Sequence, residues 1–191
     1  KNRAINWNSD STDTILKKLN ASDSRPGILD NINGISVYLF HGFKEKNLKG
    51  EIKEILATRD GAICLGTKDS AIWITHLKKK EEFSLKLPAT DVISVGTSIK
   101  DYPAPWYKED TFQEIYYEQI GDVGYLYFDF YNGAISTDQC QKLLEAYKKA
   151  ITYPTKVLVL MGGEDFWSNG IHLHKIENAS SPAEESWKNI N

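Results

Sequence analysis

Cysteine is scarce in this sequence: Cys64 and Cys140 are the two in 191 residues. Two thiols so far apart define neither a disulfide framework nor a metal-binding knuckle, and they read as the reduced thiols of a cytoplasmic protein. No apolar run approaches the roughly 20 residues that a membrane-spanning helix needs. An excess of positive charge is missing too, since 23 Lys and Arg stand against 26 Asp and Glu, interspersed, for a net charge of −3. That balance leaves no electrostatic footprint for a nucleic acid. The opening, Lys1-Asn-Arg-Ala-Ile-Asn-Trp7, has neither an initiator Met nor the apolar stretch of a secretion signal. A last helix is barely begun at Asn191, so the sequence reads as an internal piece of a longer polypeptide.

What is present divides into two patterns. Ser11 to Asn20 reads as a short helix, with Ser11 as N-cap and Ile15, Leu16 and Leu19 as its apolar stripe. Arg25-Pro26-Gly27 ends it. From Ile28 to about Leu87 the pattern is β: Ile35–Phe40, Glu51–Ala57, Ala62–Leu65 and Ala71–Leu77, punctuated by Asn33-Gly34 and Asp60-Gly61. Short strands with Asx-Gly turns predict a small antiparallel barrel. Lys78-Lys79-Lys80 is followed at once by Glu81-Glu82 and reads as a solvated hairpin tip. Residues 88–111 hold Pro88, Pro103 and Pro105 with no clear period, as a junction would.

The second pattern starts at Gln113. Gln113–Glu118 and Val123–Phe128 are strand-like and meet at Gly121-Asp122. Ser136-Thr-Asp-Gln139 has capping-box spacing, and Cys140, Leu143, Leu144, Tyr147 and Ile151 recur with a helical period. Pro154 stops that helix before the apolar strand Lys156–Met161, which makes a βαβ unit with parallel strands. Ser181-Pro182-Ala-Glu184 opens another helix. The aromatic cluster Tyr116 to Tyr131 alternates along strands, which assigns it to packing between layers before base stacking.

Chemistry concentrates after the apolar strand, in Gly162-Gly163-Glu-Asp-Phe-Trp-Ser168-Asn169-Gly170-Ile171-His172. Two readings of this turn stand open. Glycine serves only to leave the strand, or the turn presents main-chain N–H groups to an oxygen that gains charge in a reaction. Glu164 and Asp165 have the chemistry of a general acid or base, and equally of loop caps. His172 and His174 form His-x-His, but no third ligand of suitable spacing accompanies them, so no metal site is expected.

Resemblance adds to these readings. Arg3–Trp7, the helix after it, Arg25-Pro26-Gly27 and the strands through Gly61–Ile74 resemble the C-terminal barrel of formyltetrahydrofolate-dependent formyltransferases. Tyr125–Ser136, the following helix, and Val157–Ile171 resemble the first βαβ unit of the enoyl-CoA hydratase/isomerase (crotonase) superfamily. The HypX/HoxX hydrogenase maturation family joins these two modules. Phe128–Cys140, Gly163–Leu173 and Pro182–Asn191 are similar to its wording.

The resemblance implies an α+β chain, with a small antiparallel OB-like β-barrel of the formyltransferase C-terminal type followed by the start of a crotonase-like α/β domain. Its divisions would be 1–24 for the end of the formyltransferase region, 25–100 for the barrel, 101–112 for a linker and 113–191 for a truncated crotonase part. It implies a parent enzyme that moves a formyl group from formyltetrahydrofolate to coenzyme A and releases carbon monoxide from formyl-CoA for nickel–iron hydrogenase. Partners would be folate and CoA thioesters, with the hydrogenase maturation machinery, and neither nucleic acid nor membrane. The Ile171 N–H would be one oxyanion-hole donor, Asn169 and Gly170 would lie at the adenine end of CoA, and Gly133, Ala134 and Ile135 would form the matching CoA-side loop. Most of the folate site and the remaining catalytic groups would lie outside residues 1–191, leaving this stretch inactive alone. A conventional enoyl-CoA hydratase/isomerase and a non-catalytic OB-like binding or scaffold module are the competing readings.

Overall fold

The computed structural model describes residues 3–24 and 26–190. Arg25 of the predicted helix-breaking turn, and Lys1, Asn2 and Asn191 at the ends, lie outside the described residues. The chain forms two compact units, one running to Pro103 and taking back Asp110–Phe112, the other made of Ala104–Glu109 and the chain from Gln113 onward.

In the first unit, helix α1 (Thr12–Asn20) precedes strands β1 (Ile28–Ile32), β2 (Ile35–Glu45), β3 (Ile55–Arg59), β4 (Ala62–Gly66), β5 (Ala71–Lys79) and β6 (Lys86–Pro88), then helix α2 (Ala89–Val92) and strand β7 (Lys100–Asp101). The strands form one sheet in the order β1-β2-β5-β4-β3-β7, with β6 also on β5. Its tight hairpins fall where the sequence puts them. Asn33 and Gly34 have φ of 48° and 82°, Asp60 and Gly61 have 47° and 79°, and these left-handed pairs match the twist of the strands they join.

Helix α1 starts at its Ser11 cap, whose side chain accepts the Thr14 N–H, and buries Ile15 and Leu19. It crosses β2 at Gly42, where a Cβ would stand 2.7 Å from Leu19 Cδ1. Thr12 anchors the helix, donating to Asp69 from its backbone at 2.9 Å and from its hydroxyl at 2.7 Å. The core gathers Ile15, Leu19, Ile28, Val37, Leu39, Ile63, Leu65, Ile72 and Ile74. β5 is buried over Ala71–Leu77, which is why it opens as an apolar run, Ala71–Ile74, instead of an alternation.

Three stretches differ from their sequence reading. Glu51–Lys53 is a turn ahead of β3, because Gly66 brings its backbone so close that a Cβ there would sit 2.1 Å from Glu51 O. Lys78 and Lys79 lie within β5, not at a hairpin tip. The aperiodic stretch 88–111 contains α2 and β7, and it adds fully buried Ala89 to the first core.

Asp110–Phe112 closes the first unit through a buried polar cluster. Phe112 lies 5.1 Å from Phe43 and 6.2 Å from Trp73, ring to ring. Thr111 donates to Glu45 Oε2 at 2.6 Å and accepts from Arg59 Nη1 at 2.9 Å. Trp73 Nε1 also donates to Glu45, at 2.9 Å, and the Asn47 N–H does so at 2.7 Å. Burial pushes the Glu45 carboxyl up, but donation by Thr111, Trp73 and Asn47, with Arg59 nearby, outweighs it and holds the group below its ordinary value.

The second unit holds strands β8 (Ile115–Ile120) and β9 (Val123–Phe128), a 3-10 turn (Tyr131–Gly133), helix α3 (Thr137–Ala150), strand β10 (Val157–Met161) and helices α4 (Leu173–Asn178) and α5 (Pro182–Ile190). β8 and β9 are an antiparallel hairpin turning on Gly121, φ 57°. β10 pairs with β9 in parallel, Val157 beside Val123 through Met161 beside Tyr127, so β9–α3–β10 is a βαβ unit. The capping box at Ser136 and Gln139 is formed on both sides. Of the predicted apolar stripe only Leu143 packs into the core, beside buried Ala146 and Ala150, while Leu144 and Ile151 are 52% and 54% exposed. Small residues let α3 lie close on the sheet, and the longer ones flank that contact. Of the aromatic cluster, Tyr117, Phe128 and Phe130 are buried, whereas Tyr116 and Tyr127 stack on each other at 4.5 Å on the half-exposed face.

Because the Glu45 carboxyl is held low, its contribution is complete above the unfolded carboxylate range and is lost as pH falls through the lower folded value. Glu45→Gln is expected to cost about 1–3 kcal/mol at pH 7, with the gap to the native chain closing below about pH 4. Urea unfolding across pH 2.5 to 7 measures this, and a gap independent of pH would contradict it.

Candidate functional site

Parallel pairing of β9 and β10 puts their carboxyl ends side by side, where ligands of α/β folds commonly bind. The chain leaving β9 runs through Asp129 and the 3-10 turn, in which Asn132 and Gly133 take φ of 56° and 65°. The chain leaving β10 runs through Gly162 and Gly163 to Gly170, φ 85°. Close approaches within and between these two loops require that three of these glycines have no Cβ. One at Gly162 would meet Trp167 Cα at 2.4 Å, one at Gly163 would meet Asp129 Oδ1 at 2.2 Å, and one at Gly133 would meet Phe166 Cβ at 2.6 Å. Gly170 differs: nothing lies within 4 Å of its missing Cβ, so its conformation alone selects glycine.

Main-chain bonds then lock the loops together. The Asn169 N–H donates to Gly133 O at 2.7 Å, the Ile135 N–H to Gly170 O at 2.9 Å, and the His172 N–H to Ile135 O at 3.0 Å. Ile135 and Ile171 thus form a parallel bridge beyond the strands proper. In that pattern the Ile171 N–H points away from Ile135, and it donates to no acceptor among the described residues. Ile171 is 37% exposed and Gly170 is exposed beside it. All six residues singled out in the sequence, Gly133, Ala134, Ile135, Asn169, Gly170 and Ile171, therefore sit on these two facing loops.

Other candidates fall differently. Glu164 and Asp165 are exposed. His172 is buried and caps α4, its Nδ1 accepting the Lys175 N–H at 3.2 Å. Its ring lies 6.3 Å from that of His174, and among the described residues no group of three His, Cys, Asp or Glu could hold a metal ion. Two groups escaped the sequence reading. Glu114, buried just before β8, accepts from Gln139 Nε2 at 2.7 Å, and Asn189 of α5 donates to Ile135 O at 3.3 Å. The capping-box spacing points to Gln139 but carries no trace of its second bond.

The first unit has a separate open cleft of about 660 Å³, lined by Asn6, Trp7, Asp10, Lys18, Ile52 and Lys53. Its charges are mutually paired, Lys18 with Asp10 at 2.5 Å, and Lys53 with Asp30 beneath Trp7 at 2.7 Å. No helix among the described residues is long and apolar enough to cross a membrane.

Comparison with known proteins gives these geometries a family. Residues 1–90 match the formyl transferase, C-terminal domain family. Over 189 residues, 99% of this chain, the sequence is 43% identical to the hydrogenase maturation factor HoxX of Bradyrhizobium diazoefficiens, of which it covers 33%. The crystal structure of HypX from Aquifex aeolicus in complex with tetrahydrofolic acid superposes with a TM-score of 0.94 at 48% identity, covering 99% of this chain and 34% of that one. Along nearly its whole length the chain is similar to HypX and HoxX proteins. A substituted variant of the Aquifex aeolicus HypX aligns equally well, with a TM-score of 0.94 at 48% identity over 99% of this chain and 36% of that one. The chain thus spans about a third of the length of the HypX/HoxX relatives it matches. Its first unit has the formyltransferase C-terminal fold, within a mixed α+β chain.

Gly162→Ala is expected to destabilise the chain by about 1–3 kcal/mol, because the new methyl would strike backbone at Trp167 and not a mobile side-chain end. Thermal unfolding monitored by circular dichroism measures it, and an unchanged midpoint would contradict the contact.

Proposed function

We propose that this chain is the part of a hydrogenase maturation enzyme that joins a formyltransferase C-terminal barrel to the opening βαβ unit of a crotonase-type domain, and that the loops after β9 and β10 hold a CoA thioester. In the parent protein a formyl group passes from formyltetrahydrofolate to the sulfur of coenzyme A. Formyl-CoA then loses carbon monoxide: the C–S bond breaks, the formyl hydrogen leaves as a proton, and that proton ends on the CoA thiolate. Atoms and charge balance without an oxidant or reductant, and the released carbon monoxide is the metal centre's ligand.

One observation carries this reading, the Ile171 N–H that meets no acceptor among the described residues while the segments on either side of it are bonded. A fixed amide aimed at open space stabilises a thioester oxygen as it gains negative charge, and does so without reorganising when the reaction occurs. Gly133, Ala134 and Ile135, with Asn169 and Gly170, form the CoA-side walls in this reading. The branched Ile171 side chain beside the donor suits a very small acyl group such as formyl. Further oxyanion donors, the acid and base of the decarbonylation and most of the folate site belong to the rest of the longer protein, so this chain by itself is expected to show no turnover. The tetrahydrofolate in the HypX relative supports a folate partner.

The formyltransferase-type segment preceding the site weighs against a conventional enoyl-CoA hydratase. The net charge of −3 weighs against a nucleic-acid module.

Ile171→Pro removes the donor hydrogen. In a protein of the relatives' full length it is expected to slow carbon monoxide release from formyl-CoA by about 10²–10³-fold, the usual loss for one oxyanion donor. Carbon monoxide trapped by ferrous haemoglobin gives the rate, with circular dichroism to check folding. A folded variant at the native rate would sink the proposed role.

A further inference from the structure

The loop clamp has a foundation that the oxyanion reading does not itself require. Glu114 is buried, 6% exposed, immediately before β8. Its carbonyl accepts the Asp129 N–H at 2.8 Å, where the chain leaves β9, and its carboxyl accepts from Gln139 Nε2 at 2.7 Å. The other end of the same Gln139 amide, Oε1, accepts the Ser136 N–H at 3.0 Å. Ser136 follows Ile135 directly, and Ile135 is the residue that holds both Gly170 O and the His172 N–H. A continuous series of bonds therefore runs from a buried carboxyl, through one side-chain amide, to the loop facing Ile171.

A glutamine in a capping box needs only its oxygen for the cap. Its amino group is not required there, yet here it donates to the buried Glu114 carboxyl and ties the cap to β8. We infer that the Glu114–Gln139 pair is a positioning device for the acyl-oxygen site: it fixes the Gly133–Ser136 segment and, through Ile135, the direction of the Ile171 N–H. Glu114 touches no substrate in this scheme. The inference rests on the acyl-CoA reading above and adds the residues that set its geometry.

Exchanging the two side chains tests it. Gln139→Glu keeps an oxygen for the Ser136 N–H, so the helix cap persists, but sets two carboxyls against each other. Combining it with Glu114→Gln restores a donor and an acceptor with their positions swapped. Hydrogen exchange at the Ile135 and His172 amides is expected to speed up by about tenfold or more in Gln139→Glu, with unchanged helical circular dichroism, and to return to within about threefold of native in the double variant. In a protein of the relatives' full length, the affinity for a non-reactive CoA thioether should fall and recover in the same order.

Native exchange in Gln139→Glu, or a double variant no better than that single one, would overturn the inference. So would loosened amides with unchanged thioether affinity. If the native protein fails to bind the thioether, the acyl-CoA reading falls and takes this inference with it. Native binding that the exchanges leave unmoved overturns this inference alone.

Discussion

Everything at the glycine-rich end of this chain depends on two main-chain bonds, Ile135 N–H to Gly170 O and His172 N–H to Ile135 O. They continue the parallel β9–β10 pairing past the point where both strands have ended. In a parallel ladder one residue donates and accepts on a single side, and its neighbour's amide turns outward. That the Ile171 N–H meets no acceptor among the described residues is thus a consequence of register, and a one-residue slip would turn a different amide away from the partner loop. Glycines are the condition for that register. Without the close approaches at Gly133 and Gly163 the loops could not reach each other, and without that at Gly162 the second loop could not fold back on itself.

A comparable economy governs the first unit, where long-range polar bonds fix elements that local preference leaves loose. α1 is nine residues long, too short to be stable alone, and it is held by Leu19 over Gly42 and by Thr12 on Asp69. The Asp69 carboxyl is held below its ordinary value chiefly by those Thr12 bonds. Asp110–Phe112 is held by Glu45 and Arg59, two buried charged groups bridged by one threonine hydroxyl. Removing either charge would leave the other buried with fewer partners, a larger loss than the bond itself.

How much of this was legible depended on whether the determining physics was local. Turn residues that tolerate left-handed backbone announced the hairpins at Asn33-Gly34, Asp60-Gly61 and Gly121-Asp122, and capping chemistry announced both Ser11 and Ser136. Where a distant group decides, the pattern misled. Glu51–Ala57 reads as one of the short strands, but the close approach of Gly66 folds its first half into a turn. The α3 stripe was drawn through its largest apolar residues, while the sheet selects Ala146 and Ala150 because small side chains allow close packing. The six residues singled out in the sequence lie on one pair of facing loops, but which amide turns away from the partner loop follows only from their mutual register, and Glu114 appears nowhere in the local pattern.

His172 shows how the two kinds of constraint meet. The first position of a helix calls for a side-chain acceptor, a role usually filled by Ser, Thr, Asp or Asn. In this chain His172 Nδ1 does the capping, and its own N–H closes the clamp on Ile135. An imidazole accepts such a bond only while that nitrogen is unprotonated. The residue that ends the clamp also starts α4, so the donor at Ile171 is held between a left-handed glycine before it and a helix cap after it. With both flanks fixed, the Ile171 amide has little freedom to turn toward water, which an amide offered to a developing negative charge requires.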